Sequence, residues 1–244
     1  MIIVRSVTLA FLVGLAAPSL ASDLSYTFID FQAISNKMDL AGTQSPVPAQ
    51  TVSVQADEGD GISVAGSVSL GERFFLAGRF QTSIIDVTGV VTNPLGTTTV
   101  ADTFDLIQSR VAFGYQRELR PNFDIMFELS YDSSEYDFGS FAGENFDMQG
   151  TGAGARFGFR WNPRIPFELY GAVHSNPVGK GNLQALEFDP ETRVQLGTVW
   201  YFLEDLGVGL DYEAGDVDTL SLSMRFSFGD LRLQRSRTEI SQDR

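Results

Sequence analysis

The chain lacks several residue types and patterns, and each absence excludes a class of protein. None of its 244 residues is a cysteine, so disulfide bonds, thiolate nucleophiles and cysteine metal ligands are excluded. The single histidine is His174, and 17 basic residues stand against 31 acidic ones, for a formal net charge of -14. Nucleic-acid binding, which needs a basic stripe, is therefore not expected. After residue 21 no apolar run approaches the roughly 20 residues of a membrane-spanning helix.

The N-terminus has the pattern of a secretory signal peptide. Arg5 precedes an apolar run, Val7–Ala17, which is followed by a proline and by small residues up to Ala21. A buried N-terminal helix is the alternative for such a run, but the basic start and the small-residue end favour a signal peptide over 1–21. The mature chain is then expected to begin near Ser22 and to function outside the cytoplasm.

The rest of the sequence alternates apolar and polar residues with the period of β-strands. The clearest segment, "TLSLSMRFSF" (Thr219–Phe228), sets leucine, methionine and phenylalanine against serine and arginine. About ten such segments follow one another, each near the roughly 9–11 residues of a tilted membrane strand. In the first segment the inward face is ambiguous, because Tyr26 and Phe28 compete with the alternate set that begins at Ile29.

The segments are joined by short turns at one end and by long polar stretches at the other. The short turns are rich in Gly, Pro and Asn and comprise Gly71–Arg73, Arg120–Asn122, Asn162–Pro166 and Glu204–Gly207. The predicted long connections are Ser35–Asp60, Asp86–Thr103, Asp132–Gly150 and Ser175–Thr192. Membrane barrels have short turns on one side and long loops on the other, so this segregation favours a barrel over a soluble sandwich.

The apolar faces of the segments are too bulky to fill the interior of a small barrel. Their rings cluster beside the short turns, where membrane barrels carry aromatic girdles; examples are Phe74, Phe123, Trp161, Phe167, Phe202 and Phe228. The polar faces mix small residues with opposite charges, and buried charges are tolerated when paired. The sequence therefore predicts apolar faces in lipid and a lumen ion-pair network of Arg79, Arg110, Asp124, Glu128, Arg156, Arg160, Glu168, Arg193, Asp211 and Arg225.

The chain resembles the small OmpA-like outer-membrane β-barrel proteins and their ten-stranded relatives. The resemblance lies in the signal peptide, the serial alternating strands, "RVAFGYQREL", "FELSYDSSEYDF" and the closing "LSMRFSF", and it is one of pattern more than of motif. It implies an all-β fold, a closed antiparallel transmembrane up-and-down β-barrel of about ten strands over 22–228, in the outer membrane of a Gram-negative bacterium. It also implies contact with outer-membrane lipid and lipopolysaccharide, insertion by the barrel-assembly machinery, and no shared catalytic residue or cofactor.

The stretch after Phe228 departs from that family, in which the final phenylalanine is usually the chain end. We expect residues 229–244 to form a disordered periplasmic tail. The alternatives are a further strand in "LRLQRS", or contact of the tail with peptidoglycan or anionic lipid through Arg232, Arg235, Arg237 and Arg244.

Catalysis is not expected. His174 faces inward by phase, and adjacent strand residues point to opposite faces, so Ser175 is not its natural partner. The omptin-like barrel proteases would need an aspartate where Ala172 stands, and the glycine-rich Gly150–Gly158 lacks the ending of a phosphate loop. No metal-ligand spacing is recognised. The acidic stretches are expected to be solvated loops; they are Asp57–Gly61, Tyr131–Asp137 and Glu187–Glu191.

The expected function is that of a non-enzymatic outer-membrane barrel with a structural or surface-interaction role. A narrow porin-like channel for small solutes is the alternative, and a barrel-lip hydrolase that uses His174 is a further one. The three hypotheses differ in whether the lumen conducts and whether a substrate is turned over.

Overall fold

The computed structural model describes residues 25–44, 51–120, 122–141, 144–164, 166–176, 191–215 and 217–228. They form ten strands: β1 (Phe28–Gln44), β2 (Thr51–Ser69), β3 (Phe74–Asn93), β4 (Gly96–Arg120), β5 (Phe123–Phe141), β6 (Glu144–Arg164), β7 (Phe167–Asn176), β8 (Glu191–Tyr201), β9 (Leu206–Ala214) and β10 (Val217–Ser227). Each strand pairs antiparallel with its chain neighbours, and β1 pairs with β10, which closes the barrel. The predicted fold class is confirmed. No helix among the described residues has the length and hydropathy needed to cross a membrane.

The predicted signal peptide (1–21) and tail (229–244) lie outside the described residues. The four predicted short turns all join strands at one end of the barrel, which we call the turn end. The opposite end, where the odd-numbered strands β1, β3 and β5 connect to their successors, is the hairpin end.

The barrel is apolar outside and polar inside. On β10, Leu220 and Leu222 are 49% and 58% exposed, whereas Ser221 and Ser223 are at 0% and 5%. Every strand contributes large apolar side chains to the exposed face, for example Phe31, Ile62, Phe80, Phe113, Leu129, Phe157, Val173, Leu196, Leu210 and Leu222. A continuous apolar surface of this extent is unfavourable in water and favourable in hydrocarbon. The exterior is therefore the lipid-facing side.

The structure resolves the ambiguous face of the first strand. Asp30 and Ile34 point inward and are buried, while Phe31 points outward and is 53% exposed. The inward set thus continues back to Tyr26 and Phe28, which both lie beside lumen arginines. The two rings fill the lumen near the turn end instead of facing lipid.

Three of the four predicted long loops are wrong. The stretch Asp86–Thr103 is a continuous two-stranded ladder formed by β3 and β4. Most of Ser35–Asp60 belongs to β1 and β2, and most of Asp132–Gly150 to β5 and β6. The fourth, Ser175–Thr192, lies mainly outside the described residues, at 177–190.

These stretches form strands because they keep a period of two although both of their faces contain polar or small residues. In the outer half of β3, Asp86 and Thr88 alternate with Val87 and Gly89, and β-branched residues favour strands. The hairpin closes through a two-residue tip in which the Asn93 Oδ1 accepts a hydrogen bond from the Leu95 amide at 2.9 Å. Low hydropathy in these stretches therefore does not indicate irregular structure.

The part of each long strand that lies in lipid remains short. On β3 the exposed apolar side chains run from Phe74 to Ile84, which matches the roughly 9–11 residues of a membrane strand. Beyond Ile84 the outward residues are Asp86, Thr88, Val90 and Thr92, of which Val90 is half-buried and the three polar ones are exposed. The outer half of the strand therefore stands above the membrane.

Among the described residues, one side of the barrel is extended in this way. Strands β1–β6 have 17 to 25 residues, whereas β7–β10 have 9 to 11. The ladder between β6 and β7 ends at Ala155↔Ser175, although β6 begins at Glu144. We call the parts of β1–β6 that extend beyond β7–β10 the projecting sheet.

Apolar side chains fill the lumen at both ends. The hairpin-end cluster consists of Met38, Ala56, Ile85, Phe104, Leu106, Tyr136 and Val217. The turn-end cluster consists of Tyr26, Phe75 and Met126. All of these side chains are at most 6% exposed. Between the two clusters the lumen is lined by charged and polar groups.

Candidate functional site: a charged lumen

The charged groups of the lumen form two sets along the barrel axis. The inner set lies near the turn end and contains Asp30, Arg160, Glu168 and Arg225. The middle set lies between it and the hairpin-end cluster, and contains Arg79, Arg110, Glu128, Asp132, Arg156, His174, Arg193, Asp211 and Glu213. Strand phase aligns these residues, since side chains two apart on a strand share a face.

Arg225 and Glu168 organise the inner set. Arg225 donates two hydrogen bonds to the Asp30 carboxylate, at 2.8 and 2.7 Å, and one to Glu168 Oε1 at 3.1 Å. Arg160 donates to both Glu168 oxygens at 2.9 Å, and the Tyr201 hydroxyl donates to Oε2 at 3.1 Å. Bidentate geometry of this kind is the strongest form of ion pair, and all four charged residues are at most 5% exposed.

The residues that lead into β1, Ser25 to Phe28, cover the inner set at the turn end. Arg160 donates to the Ser25 carbonyl at 2.7 Å, and its guanidinium lies 4.4 Å from the centre of the Tyr26 ring. The guanidinium of Arg225 lies 4.1 Å from the centre of the Phe28 ring. Cation–π contacts of desolvated arginines are stabilising, so the chain entering β1 is held inside the lumen.

The middle set is a network that crosses between strands. Glu213 accepts from Arg79 at 3.2 Å and from Arg193 at 2.9 Å. Arg156 pairs with Glu128 at 3.1 Å and also donates to Gln195. The amide of Gln195 in turn donates to both oxygens of Asp211, at 3.0 and 2.9 Å.

His174 belongs to this network. Its Nδ1 is 2.8 Å from Arg110 Nη1, and its Nε2 is 3.5 Å from Glu213 Oε1. Arg110 also donates from Nε to Asp132 at 2.5 Å. The imidazole is 5% exposed, whereas Ser175 points to the exposed outer face, as strand phase predicted.

Little space is left between these side chains. A cavity of about 120 Å³ follows the axis from Tyr26 to Glu213, and a second of about 40 Å³ adjoins Arg110 and Arg193. Holding one water molecule takes at least about 10–15 Å³ of a cavity measured in this way, so the two cavities have room for roughly ten waters in all. Between the cavities and the hairpin-end cluster, Asn36 donates a hydrogen bond to Ser83 at 2.7 Å and accepts one from Thr219 at 2.8 Å. These two bonds connect β1, β3 and β10 across the lumen.

The residues of the predicted network all lie on the lumen face, with different partners. Six arginines, Glu128 and Glu168 form the ion pairs described above. Asp211 binds the Gln195 amide instead of an arginine, and Asp124 is buried beside Tyr26.

Three acidic partners were missing from the predicted network. Asp30 was missed because the face of the first strand was ambiguous, and Asp132 because it was assigned to a loop. Glu213 lies on the polar face of its strand, but nothing in the sequence indicates that two arginines converge on it. Asp30 pairs with Arg225 of β10, a strand whose inward face is clear from its sequence. Aligning β1 with β10 is the signal that could have identified Asp30 as an inward residue.

The acidic stretches do not form a metal site within the described residues, where no group of three or more His, Cys, Asp or Glu side chains is placed to hold an ion. Glu58 and Asp60 are exposed residues of β2, and Asp132 points into the lumen. The predicted loop around Tyr131–Asp137 is therefore part of β5 and divides its carboxylates between the two faces.

No family model and no curated protein matches this sequence. Among solved structures, the chain is similar to the beta domain of the Bordetella autotransporter BrkA, with 12% identity, coverage of 82% of this chain and 98% of that chain, and a TM-score of 0.45. The translocator domain of the autotransporter NalP from Neisseria meningitidis gives 10% identity, 84% and 89% coverage and a TM-score of 0.47. The outer membrane protein OprG from Pseudomonas aeruginosa gives 9% identity, coverage of 84% of this chain and 97% of that chain, and a TM-score of 0.41. Such low values carry no information on function.

The closed sheet, the apolar exterior and the charged lumen are the properties that a membrane-spanning β-barrel requires. The chain is a membrane-spanning β-barrel on these grounds.

Proposed function

We propose that this protein is a non-enzymatic outer-membrane barrel with a closed lumen, and that its role is structural or lies in surface interaction through the projecting sheet. The observation that carries the proposal is the filled lumen: apolar clusters at both ends enclose ion pairs and cavities of about 120 and 40 Å³. A solute would have to separate buried ion pairs to pass, and each uncompensated charge costs several kcal/mol.

The experiment that tests the proposal is the conductance of the refolded mature protein in a planar lipid bilayer at neutral pH. We expect no stepwise conductance. Arg110→Gln/Asp132→Asn serves as the comparison, because it removes an ion pair from the middle set without leaving an unpaired charge. Regular steps from the unmodified protein, larger in this variant, would establish the narrow porin-like channel instead.

The proposed lack of enzymatic activity is supported by the surroundings of His174. The imidazole is buried against Arg110 and Glu213, and Ser175 is on the opposite face of the strand. A general base must reach the proton that it abstracts, and this imidazole is not open to the barrel lip. Turnover of a peptide or lipid substrate that is lost in His174→Ala would contradict the proposal and support the hydrolase.

We further propose that the protein belongs with the OmpA-like small barrels, is inserted by the barrel-assembly machinery, and lies beside lipopolysaccharide. The alternating aromatic residues that end at Phe228 support the second point, and the polar outer half of β3 above its apolar belt supports the third. Refolding with and without purified assembly machinery, and into vesicles with and without lipopolysaccharide, tests these partners. Contact of the tail with peptidoglycan is a separate proposal, tested by pull-down with and without 229–244.

A further inference from the structure

The described part of the lumen contains one carboxylate more than it contains arginines. Its buried carboxylates are Asp30, Asp124, Glu128, Asp132, Glu168, Asp211 and Glu213, and its arginines are Arg79, Arg110, Arg156, Arg160, Arg193 and Arg225. Seven negative charges thus face six positive ones if all of these groups are ionised. An uncompensated charge in a closed lumen is strongly unfavourable, so we expect one further proton within this network.

His174 is poorly placed to hold that proton. Its Nδ1 lies 2.8 Å from Arg110 Nη1, and a guanidinium has donors but no acceptor. Nδ1 is therefore the acceptor, which leaves the imidazole neutral with its hydrogen on Nε2, on the side of Glu213. The further proton then belongs on a carboxylate.

Asp211 lacks an ion pair among the described residues. Its carboxylate accepts from the Gln195 amide at 3.0 and 2.9 Å and faces the Tyr170 hydroxyl, and both of these groups are neutral. The charged groups that it faces are Arg79 and Glu213, which are paired with each other at 3.2 Å. The nearest positive charge is thus already compensated.

The other six lumen carboxylates are closer to arginines. Five of them form ion pairs: Asp30, Glu128, Asp132, Glu168 and Glu213. Asp124 lies directly opposite Arg160 in the ladder between β5 and β6. Each of these carboxylates therefore has a reason to remain ionised that Asp211 does not share.

The surroundings of Ser221 agree with an uncharged Asp211. Ser221 lies directly opposite Asp211 in the ladder between β9 and β10 and is fully buried. Its hydroxyl has no hydrogen-bond partner among the described residues. An ionised carboxylate attracts a hydroxyl donor at this distance across a ladder, and the Ser221 hydroxyl is not drawn to it.

We propose that Asp211 is a proton-binding site, which takes up one proton from water when the barrel closes and keeps it at neutral pH. Six ionised carboxylates then face six arginines, and the lumen is neutral. This inference rests on the proposed function, because a lumen open to water would screen an unpaired charge.

The first test is infrared spectroscopy of the refolded mature chain at neutral pH, in a detergent without carbonyl groups. A protonated carboxylic acid has a carbonyl stretch that is separate from those of carboxylates and amides, and ¹³C-labelling of aspartate side chains shifts it. We expect such a band, shifted by the label and lost in Asp211→Asn. Absence of a label-sensitive band in the unmodified chain would overturn the proposal, as would a band that persists in Asp211→Asn.

The second test is the pH dependence of unfolding in guanidinium chloride. In the unfolded chain Asp211 ionises above about pH 4, whereas in the barrel it keeps its proton, so its contribution to stability falls as the pH rises. Asparagine has the same shape and needs no proton. We therefore expect Asp211→Asn to unfold at a higher denaturant concentration than the unmodified chain at neutral pH. The gap should widen from about pH 4 upward, by up to about tenfold in the unfolding equilibrium constant per pH unit.

Glu213→Gln is the matched control, two residues along the same strand. It removes the acceptor of Arg79 and Arg193, so we expect it to unfold at a lower denaturant concentration than the unmodified chain. A similar loss in Asp211→Asn would mean that Asp211 is ionised, and would overturn the proposal.

NMR of ¹⁵N-labelled histidine tests the alternative holder of the proton without a substitution. We expect a hydrogen on Nε2 alone at neutral pH, and hydrogens on both ring nitrogens of His174 would overturn the proposal. A chain that does not conduct and shows no carboxylic acid band would overturn this inference alone. Conductance at neutral pH would instead overturn the proposed function.

Discussion

Glu168 is a heavily shared acceptor among the described residues of the lumen. Its carboxylate receives hydrogen bonds from Arg160, Arg225 and Tyr201, and it is 1% exposed. Removal of one partner from a buried ion pair leaves the other charge without compensation. The cost of a change at this residue therefore comes mainly from the arginines that it would strand.

Glu168→Gln is expected to lower the free energy of unfolding by about 3–5 kcal/mol, the range for breaking a buried ion pair. Equilibrium unfolding in guanidinium chloride from lipid vesicles measures the change. Glu72→Gln is the matched control, because Glu72 is an exposed residue of a short turn and surface substitutions usually stay within about 0.5 kcal/mol. Equal effects of the two variants would contradict the assignment of Glu168 as the central acceptor.

Gly154 is needed because the Asp132 carboxylate lies against its backbone. An added Cβ would lie 2.5 Å from Asp132 Oδ2 and 2.8 Å from the Ser175 carbonyl, whereas at Gly78 the nearest atom would be 3.7 Å away. Gly154→Ala is expected to destabilise the barrel by about 1–3 kcal/mol, as overpacking does, and Gly78→Ala to leave it nearly unchanged. Unfolding midpoints decide between them, and a tolerated Gly154→Ala would show that Asp132 is not held there.

At the scale of elements, the long hairpins are built from local pairing. The β3–β4 ladder extends unbroken to its two-residue tip, and inward side chains of the hairpin-end cluster come only from its base, at Ile85, Phe104 and Leu106. Val87 is the last residue of β3 that packs on this cluster. The remaining part of the hairpin contributes little to the packed interior.

Replacing Thr88–Ala101 by an Asn-Gly turn is therefore expected to leave folding and insertion intact. Thr88 pairs with Ala101, so the deletion preserves the register, and a two-residue Asn-Gly turn suits a hairpin. Unfolding of the shortened chain in vesicles should differ little from that of the full one. If the shortened chain fails to insert, the projecting sheet has a role in assembly that its packing does not reveal.

The sequence was informative about elements where one face meets lipid and poorly informative where both faces meet water. On β10, leucine and phenylalanine alternate with serine, so strand and face could both be predicted. In Asp86–Thr103, threonine, valine and aspartate give no contrast between faces, and the same segment looks like a loop. Ion-pair partners were harder still, since Arg79 and Glu213 are 134 residues apart in sequence and meet only when the barrel closes.

At the scale of the whole molecule, the lumen is enclosed by lipid-facing walls and two apolar clusters. Because the chain has no cysteine, a single introduced thiol reports on one position. Ser221→Cys, in the lumen, is expected to resist a membrane-impermeant maleimide, whereas Thr97→Cys, near the tip of the β3–β4 hairpin, should react fully. Leu222→Cys should react only with a reagent that partitions into the bilayer.

These three variants test orientation and closure together. Rapid reaction of Ser221→Cys with the impermeant reagent would mean that the lumen is open to water. Reaction of Ser221→Cys instead of Leu222→Cys with the bilayer reagent would mean that the polar face meets lipid. The unmodified chain is the blank, since it offers no thiol.

Within the part of the chain that the structure describes, the difference in height between β1–β6 and β7–β10 distinguishes the two flanks of the barrel in the plane of the membrane. A large particle that approaches along the cell surface meets the edge of the projecting sheet on one flank. On the other flank it meets the shorter described ends of β7–β10. Rotation of the barrel about its axis therefore changes what its neighbours touch, although the lipid-facing belt is similar all the way round. Neighbouring proteins in a crowded membrane are therefore expected to contact this barrel in preferred orientations around its axis.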